Sequence, residues 1–95
     1  MKINGRNMLD AYKQKHVDVR AQIDAWVAEA MNSNWNNPME IKAKYSTASI
    51  IGDKNVIFNL KGNKYRLWVQ VNYRFKIVLI KKIGNHEEYM EWKIN

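Results

Sequence analysis

The sequence predicts an α+β domain with N-terminal helices packed on one face of a small antiparallel β-sheet. Three observations predict it. Ile23, Trp26, Val27, Ala30 and Met31 recur at helical spacing in the first half. Lys54–Leu60 and Tyr65–Tyr73 alternate apolar and polar residues around Lys61-Gly62-Asn63-Lys64, as two strands of a hairpin do. Lys76–Ile83 supplies a third apolar run. At 95 residues the chain has room for one core, so residues 1–95 are read as a single domain.

Each element follows from its local chemistry. Apolar residues between Asn7 and Tyr12 fit a short helix ending near His16, whose imidazole reads as a C-terminal dipole partner. Asp18 is the expected N-cap of a second helix reaching about Met31, with Trp26 in the core. The asparagine-rich segment around Trp35 breaks that helix. Asn37 and Pro38 then form the cap and first position of a short helical turn through Ile41 and Ala43.

A Gly62-Asn63 turn pairs Leu60 with Tyr65, Asn59 with Arg66, Phe58 with Leu67 and Val56 with Val69. This register sends Val56, Phe58, Leu60, Tyr65, Leu67, Val69 and Val71 to one face. The other face receives Ile57, Asn59, Arg66, Trp68, Gln70 and Asn72. If Tyr73 pairs with Lys76, Val69 meets Ile80 and Trp68 meets Lys81; a slip of one residue would exchange Lys81 and Lys82 between faces. Asn85 is a candidate cap for one closing helical turn.

The charge is uneven. The formal net charge is +7, yet residues 1–53 carry seven basic and six acidic side chains. From Lys54 to His86 there are eight basic residues and no acid, which points to a positive surface for a polyanion. Zero cysteines exclude a disulfide scaffold, a thiolate zinc site and a cysteine nucleophile. No apolar run is long enough to span a membrane, and no secretory leader is recognisable, so a cytoplasmic protein is expected.

No phosphate-binding loop, metalloprotease motif, nucleophile elbow or carboxylate cluster occurs, and neither a metal nor another cofactor is expected. A cationic sheet with a nearby histidine and tyrosine fits phosphodiester chemistry on RNA. There the ribose 2′-OH attacks phosphorus and leaves a 2′,3′-cyclic phosphate and a free 5′-OH. Such a step needs proton exchange and fixed positive charge. Arg66 and Lys81 are candidates for the charge, His86 and Tyr89 for the protons, and Trp68 for stacking a base. Simpler readings stand beside these: Arg66 as a cross-strand partner of Asn59, His86 as a turn residue, Tyr89 and Trp92 as packing, and Trp68 covered by the C-terminal tail.

Val56-Ile57-Phe58-Asn59, Gly62-Asn63-Lys64-Tyr65-Arg66-Leu67 and Gly84-Asn85-His86-Glu87-Glu88-Tyr89 resemble successive motifs of the HigB toxin family. Trp35-x-Asn37-Pro38 looks like that family's upstream connection. The resemblance implies a RelE-like fold and the toxin of a type II toxin–antitoxin pair, an endoribonuclease that cuts mRNA on the translating ribosome without a metal. It implies a cognate helix-turn-helix, HigA-like antitoxin, through which alone the toxin meets operator DNA. It assigns catalytic roles to Arg66, Lys81, His86 and Tyr89, with Lys81 standing where the family usually has arginine. RNA contacts are expected at Asn59, Lys61, Lys64, Trp68 and Arg74. The rival expectations are a non-catalytic basic RNA-binding module and an operon co-repressor.

Overall fold

The computed structural model describes residues 1–94. The elements run β1 (Lys2–Asn4), α1 (Arg6–Lys15), a 3-10 turn (Val17–Val19), α2 (Arg20–Met31), α3 (Pro38–Lys44), β2 (Ser49–Ile51), β3 (Asn55–Leu60), β4 (Tyr65–Asn72), β5 (Ile77–Asn85) and α4 (His86–Met90). The fold is α+β. The strands form a five-stranded sheet in the order β1-β5-β4-β3-β2. Its centre is antiparallel, and β1 adds a parallel edge against β5 through Ile3 and Val78. Both edge strands, β1 and β2, are additions to the three strands expected from the sequence.

The hairpin register is the expected one: Leu60 opposite Tyr65, Asn59 opposite Arg66, Phe58 opposite Leu67 and Val56 opposite Val69. The inner face carries Val56, Phe58, Leu60, Tyr65, Leu67, Val69 and Val71 into one core with Leu9, Val19, Ile23, Trp26, Ala30 and Ile41 from the helical side. Trp26 meets the Phe58 ring edge-on at 5.3 Å between centroids. Truncating such a buried indole to alanine costs about 3–5 kcal/mol. Met31, expected in the same stripe, is half exposed.

Asp18 does not cap α2. The position before the helix is Val19, no side chain caps it, and Asp18 lies inside the 3-10 turn. His16 is the C-cap residue of α1, and its ring also stacks on Tyr12 at 4.0 Å. Asn37 caps α3 by accepting from the Glu40 amide, with Pro38 at the first turn, as the sequence predicts.

The β4–β5 pairing begins as expected, with Val71 opposite Val78 and Val69 opposite Ile80. Beyond Val69 the ladder shifts by one, and Trp68 pairs with Lys82 instead of Lys81. Lys81 is the extra residue of a β-bulge. The shift keeps Ile80 and Ile83 both buried although an odd number of steps separates them. A regular strand would send one of the two to the outer face.

Candidate functional site

The outer face of β4 and the end of β5 carry the site. Arg66 lies at the start of β4, opposite Asn59 on one side and Gly84 on the other. Asn59 donates to the Thr47 carbonyl (3.1 Å), so the cross-strand position does not translate into a bond to Arg66. The guanidinium turns to the hairpin turn and to α4. Its Nη1 donates to the Asn63 carbonyl at 2.5 Å, and its Nη2 lies 3.4 Å from His86 Nδ1. A guanidinium only donates, so a hydrogen bond here requires Nδ1 as the acceptor, which is the tautomer with the proton on Nε2.

His86 is the first residue of α4 and Tyr89 the fourth, which puts both side chains over one face of the turn. Their rings are 6.3 Å apart, and the Arg66 guanidinium carbon sits 5.2 Å from the centre of the Tyr89 ring. Asn85 anchors this helix by a reciprocal capping box. It accepts from the Glu88 amide at 2.8 Å, and Glu88 accepts from the Asn85 amide at 3.1 Å. The His86 amide donates to the Lys64 carbonyl at 3.2 Å, tying α4 back to the hairpin turn.

From Tyr89 the aromatic contacts continue through Trp92 (5.6 Å) to Trp68 (6.2 Å), and the Lys81 ammonium lies 5.8 Å over the Trp68 ring. Trp68 is only 7% exposed, and its Nε1 donates to Asn55 Oδ1 at 2.9 Å. It offers no free ring face for a base. Trp92 covers it, so the face expected to be open is closed at this end. The bulge brings Lys81 to the Trp68 ring and pairs Lys82 with Trp68, so both lysines stand on the outer face.

Arg66, His86 and Tyr89 are therefore in mutual contact, and Lys81 joins them through Trp68 and Trp92. Other predicted residues lie elsewhere. Lys64 donates to Asp18 Oδ2 at 2.8 Å, and Lys61 bonds the Asp18 carbonyl at 3.2 Å. Both lysines thus face the helical side. Lys76 also turns inward, to the Trp35 carbonyl at 2.9 Å. Arg74 is in the β4–β5 turn with its guanidinium over Phe75. It sits at the far end of β4 from Arg66, roughly 25 Å away at about 3.3 Å per residue. There it lines a separate hollow of about 550 Å³ with Gln70, Asn72 and Leu79. The block of eight cations is consequently not one surface.

Asp18, Asn63, Gly84 and Trp92 shape the site without having stood among its expected residues. Trp92 follows Tyr89 at helical spacing, which was the one available signal. Asn63 acts through its carbonyl and Asp18 through a partner distant in sequence, which a pattern of side chains does not reveal. Among the described residues no group of three or more His, Cys, Asp or Glu side chains is placed to hold a metal ion. No helix among them is long and apolar enough to cross a membrane.

The family profile described as HigB_toxin, RelE-like toxic component of a toxin-antitoxin system, matches residues 19–92. The chain belongs to the HigB toxin family. The match runs from the end of the 3-10 turn to the tryptophan that covers Trp68, and so includes Arg66, Lys81, His86 and Tyr89. As a toxin of a toxin–antitoxin system, this HigB-family protein has an antitoxin for its partner. Among curated proteins none matches the chain.

Proposed function

We propose that this HigB-family toxin is an endoribonuclease that cuts mRNA on the translating ribosome, in the cytoplasm, by attack of a ribose 2′-OH on the adjacent phosphorus. The observation that carries this reading is the contact of one guanidinium with both an imidazole and a phenol: Arg66 Nη2 at 3.4 Å from His86 Nδ1, and the Arg66 guanidinium 5.2 Å from the Tyr89 ring centre. A scissile phosphate held by Arg66 would lie beside both groups able to exchange protons.

In this mechanism the O2′–P bond forms and the P–O5′ bond breaks. The 2′-OH proton leaves to a site base and a proton arrives at the 5′-oxygen, so the step is neutral overall. His86 Nε2 and the Tyr89 hydroxyl are the atoms that exchange those protons. Arg66, with Lys81 further along the face, stabilises the extra negative charge on the phosphorane oxygens. Asn59, beside Arg66 on the outer face, contacts the RNA. These groups belong to the chain itself, and the mechanism assigns no step to a cofactor. The cognate antitoxin is of the helix-turn-helix, HigA-like kind, and the toxin reaches operator DNA through it.

Inducible expression with mapping of transcript ends tests the reading. Wild type should arrest growth and leave new 5′-OH ends, and Arg66→Ala and His86→Ala should abolish both. Binding of RNA without new ends would instead identify a non-catalytic RNA-binding module. Operator repression with neither binding nor cleavage of RNA would identify a co-repressor.

A further inference from the structure

The turn that orients the site is itself held from the opposite side of the sheet. Asp18 sits in the 3-10 turn next to Val19, which is fully buried and fixes that turn in the core. Its carboxylate accepts from Lys64 Nζ at 2.8 Å and from the Tyr65 hydroxyl at 2.8 Å, and lies 3.6 Å from Lys61 Nζ. Lys61 also donates to the Asp18 main-chain carbonyl. One acidic residue thus grips both ends of the Lys61–Lys64 turn and the first residue of β4.

That turn has unfavourable local geometry. Lys61 has φ +50° and Gly62 φ +65°, and a lysine in the left-handed region persists only where its surroundings hold it. Between the two gripped lysines lies the carbonyl of Asn63, which receives Arg66 Nη1; the carbonyl of Lys64 itself receives the His86 amide. Both main-chain acceptors that aim the site therefore come from the segment Asp18 restrains.

We propose that Asp18 is a positioning residue for the Arg66–His86 site, acting through the Lys61–Lys64 turn. The proposal rests on the nuclease reading for its kinetic consequence, but not for its geometric one. It reverses the expected role of Lys61 and Lys64, which here tether the turn instead of meeting RNA. A displacement of about 1 Å at a catalytic group is enough to cost on the order of a hundredfold in rate.

The test compares wild type with Asp18→Asn, Asp18→Glu, the pair Lys61→Ala/Lys64→Ala, and the triple variant Asp18→Asn/Lys61→Ala/Lys64→Ala. Cleavage is followed in a translating extract, and hydrogen exchange of the His86 amide by NMR. Asp18→Asn should lower kcat at least roughly tenfold with KM unchanged, and His86 should exchange faster. Asp18→Glu should restore most of both. The lysine pair should reproduce the defect, and the triple variant should be no worse, because all three substitutions release one tether. Should Asp18→Asn fail to fold, the lysine pair carries the same comparison.

A lower melting temperature with wild-type kcat and wild-type His86 exchange would overturn the proposal. So would a fall in KM for Asp18→Asn, which would mean that Asp18 holds back two RNA-binding lysines. A wild-type protein that cuts nothing would defeat the nuclease reading alone, because the exchange rate at His86 still decides whether Asp18 positions that residue.

Discussion

Gly84 lies directly opposite Arg66 on the neighbouring strand, so the position beside the guanidinium has no side chain. A Cβ there would come within 3.0 Å of Glu88 Cβ and 3.1 Å of Trp92 Cζ2. The missing side chain is what allows α4 to fold back over the sheet and bring His86 and Tyr89 to Arg66. Gly84→Ala should therefore displace α4 while leaving the core beneath the sheet intact. We expect a loss of about 1–3 kcal/mol from overpacking and a loss of cleavage larger than that stability change explains. Thermal melts with tryptophan near-UV circular dichroism report the packing, and transcript-end mapping reports the activity. Unchanged cleavage in Gly84→Ala would show that close packing of α4 is not needed.

Arg66 donates to Asn63 and to His86 from two different nitrogens, a geometry that depends on its planar fork. Arg66→Lys keeps the charge and loses the fork. It should lower kcat by about 10²–10³-fold, close to the effect of Arg66→Ala, while the melting temperature changes little because the side chain is only half buried. Recovery of most of the activity in Arg66→Lys would mean that charge alone suffices.

The parts of this architecture that were legible in the sequence are those written in neighbouring residues. The β3–β4 register follows from Gly62-Asn63 and the alternation on either side, two signals that agree. Asn37-Pro38 and Asn85 announce their helices because a cap acts within three residues. The edge strands lacked such marks: Lys2–Asn4 and Ser49–Ile51 are three residues each, and β1 pairs with residues more than seventy positions away. The shared side of His86 and Tyr89 was legible in their helical spacing, whereas Arg66 comes opposite Gly84 only through the bulge, one residue off the expected register. The burial of Trp68 under Trp92, and the capture of Lys61 and Lys64 by Asp18, depend on tertiary contacts that no local pattern encodes.

The bulge at Lys81 is open to a direct test. Removing Lys81 would place Lys82 after Ile80, and the remaining sequence already continues a regular ladder: Ile80 with Val69, Lys82 with Trp68, Ile83 with Leu67. The deletion variant should fold, with a change in stability of about 1 kcal/mol or less. It keeps one lysine on the outer face and loses the ammonium over Trp68. Cleavage should fall about tenfold, as should cleavage by Lys81→Ala. A deletion variant as active as wild type would reduce the bulge to a packing device.

The tether at Asp18 makes acid stability a readout of the same contact. The Lys64 ammonium and then the Tyr65 hydroxyl hold the Asp18 carboxyl well below the usual carboxylate range. In the unfolded chain that carboxyl takes up a proton near pH 4. As the pH falls through that value the unfolded state binds more protons than the folded one, and stability falls with it. The contribution is complete above about pH 5 and is lost progressively below about pH 4, towards the lowered folded value. Asp18→Asn has no carboxyl at this position to titrate. The gap in melting temperature between wild type and Asp18→Asn should therefore be constant from about pH 6 to pH 8 and narrow as the pH approaches 3. Added salt should narrow the gap at neutral pH, since Lys61 and Lys64 are both exposed. Calorimetric melts of the two proteins across that range decide the point. A gap of equal size at about pH 3 and pH 7 would mean that the ionised carboxylate is not what holds the turn.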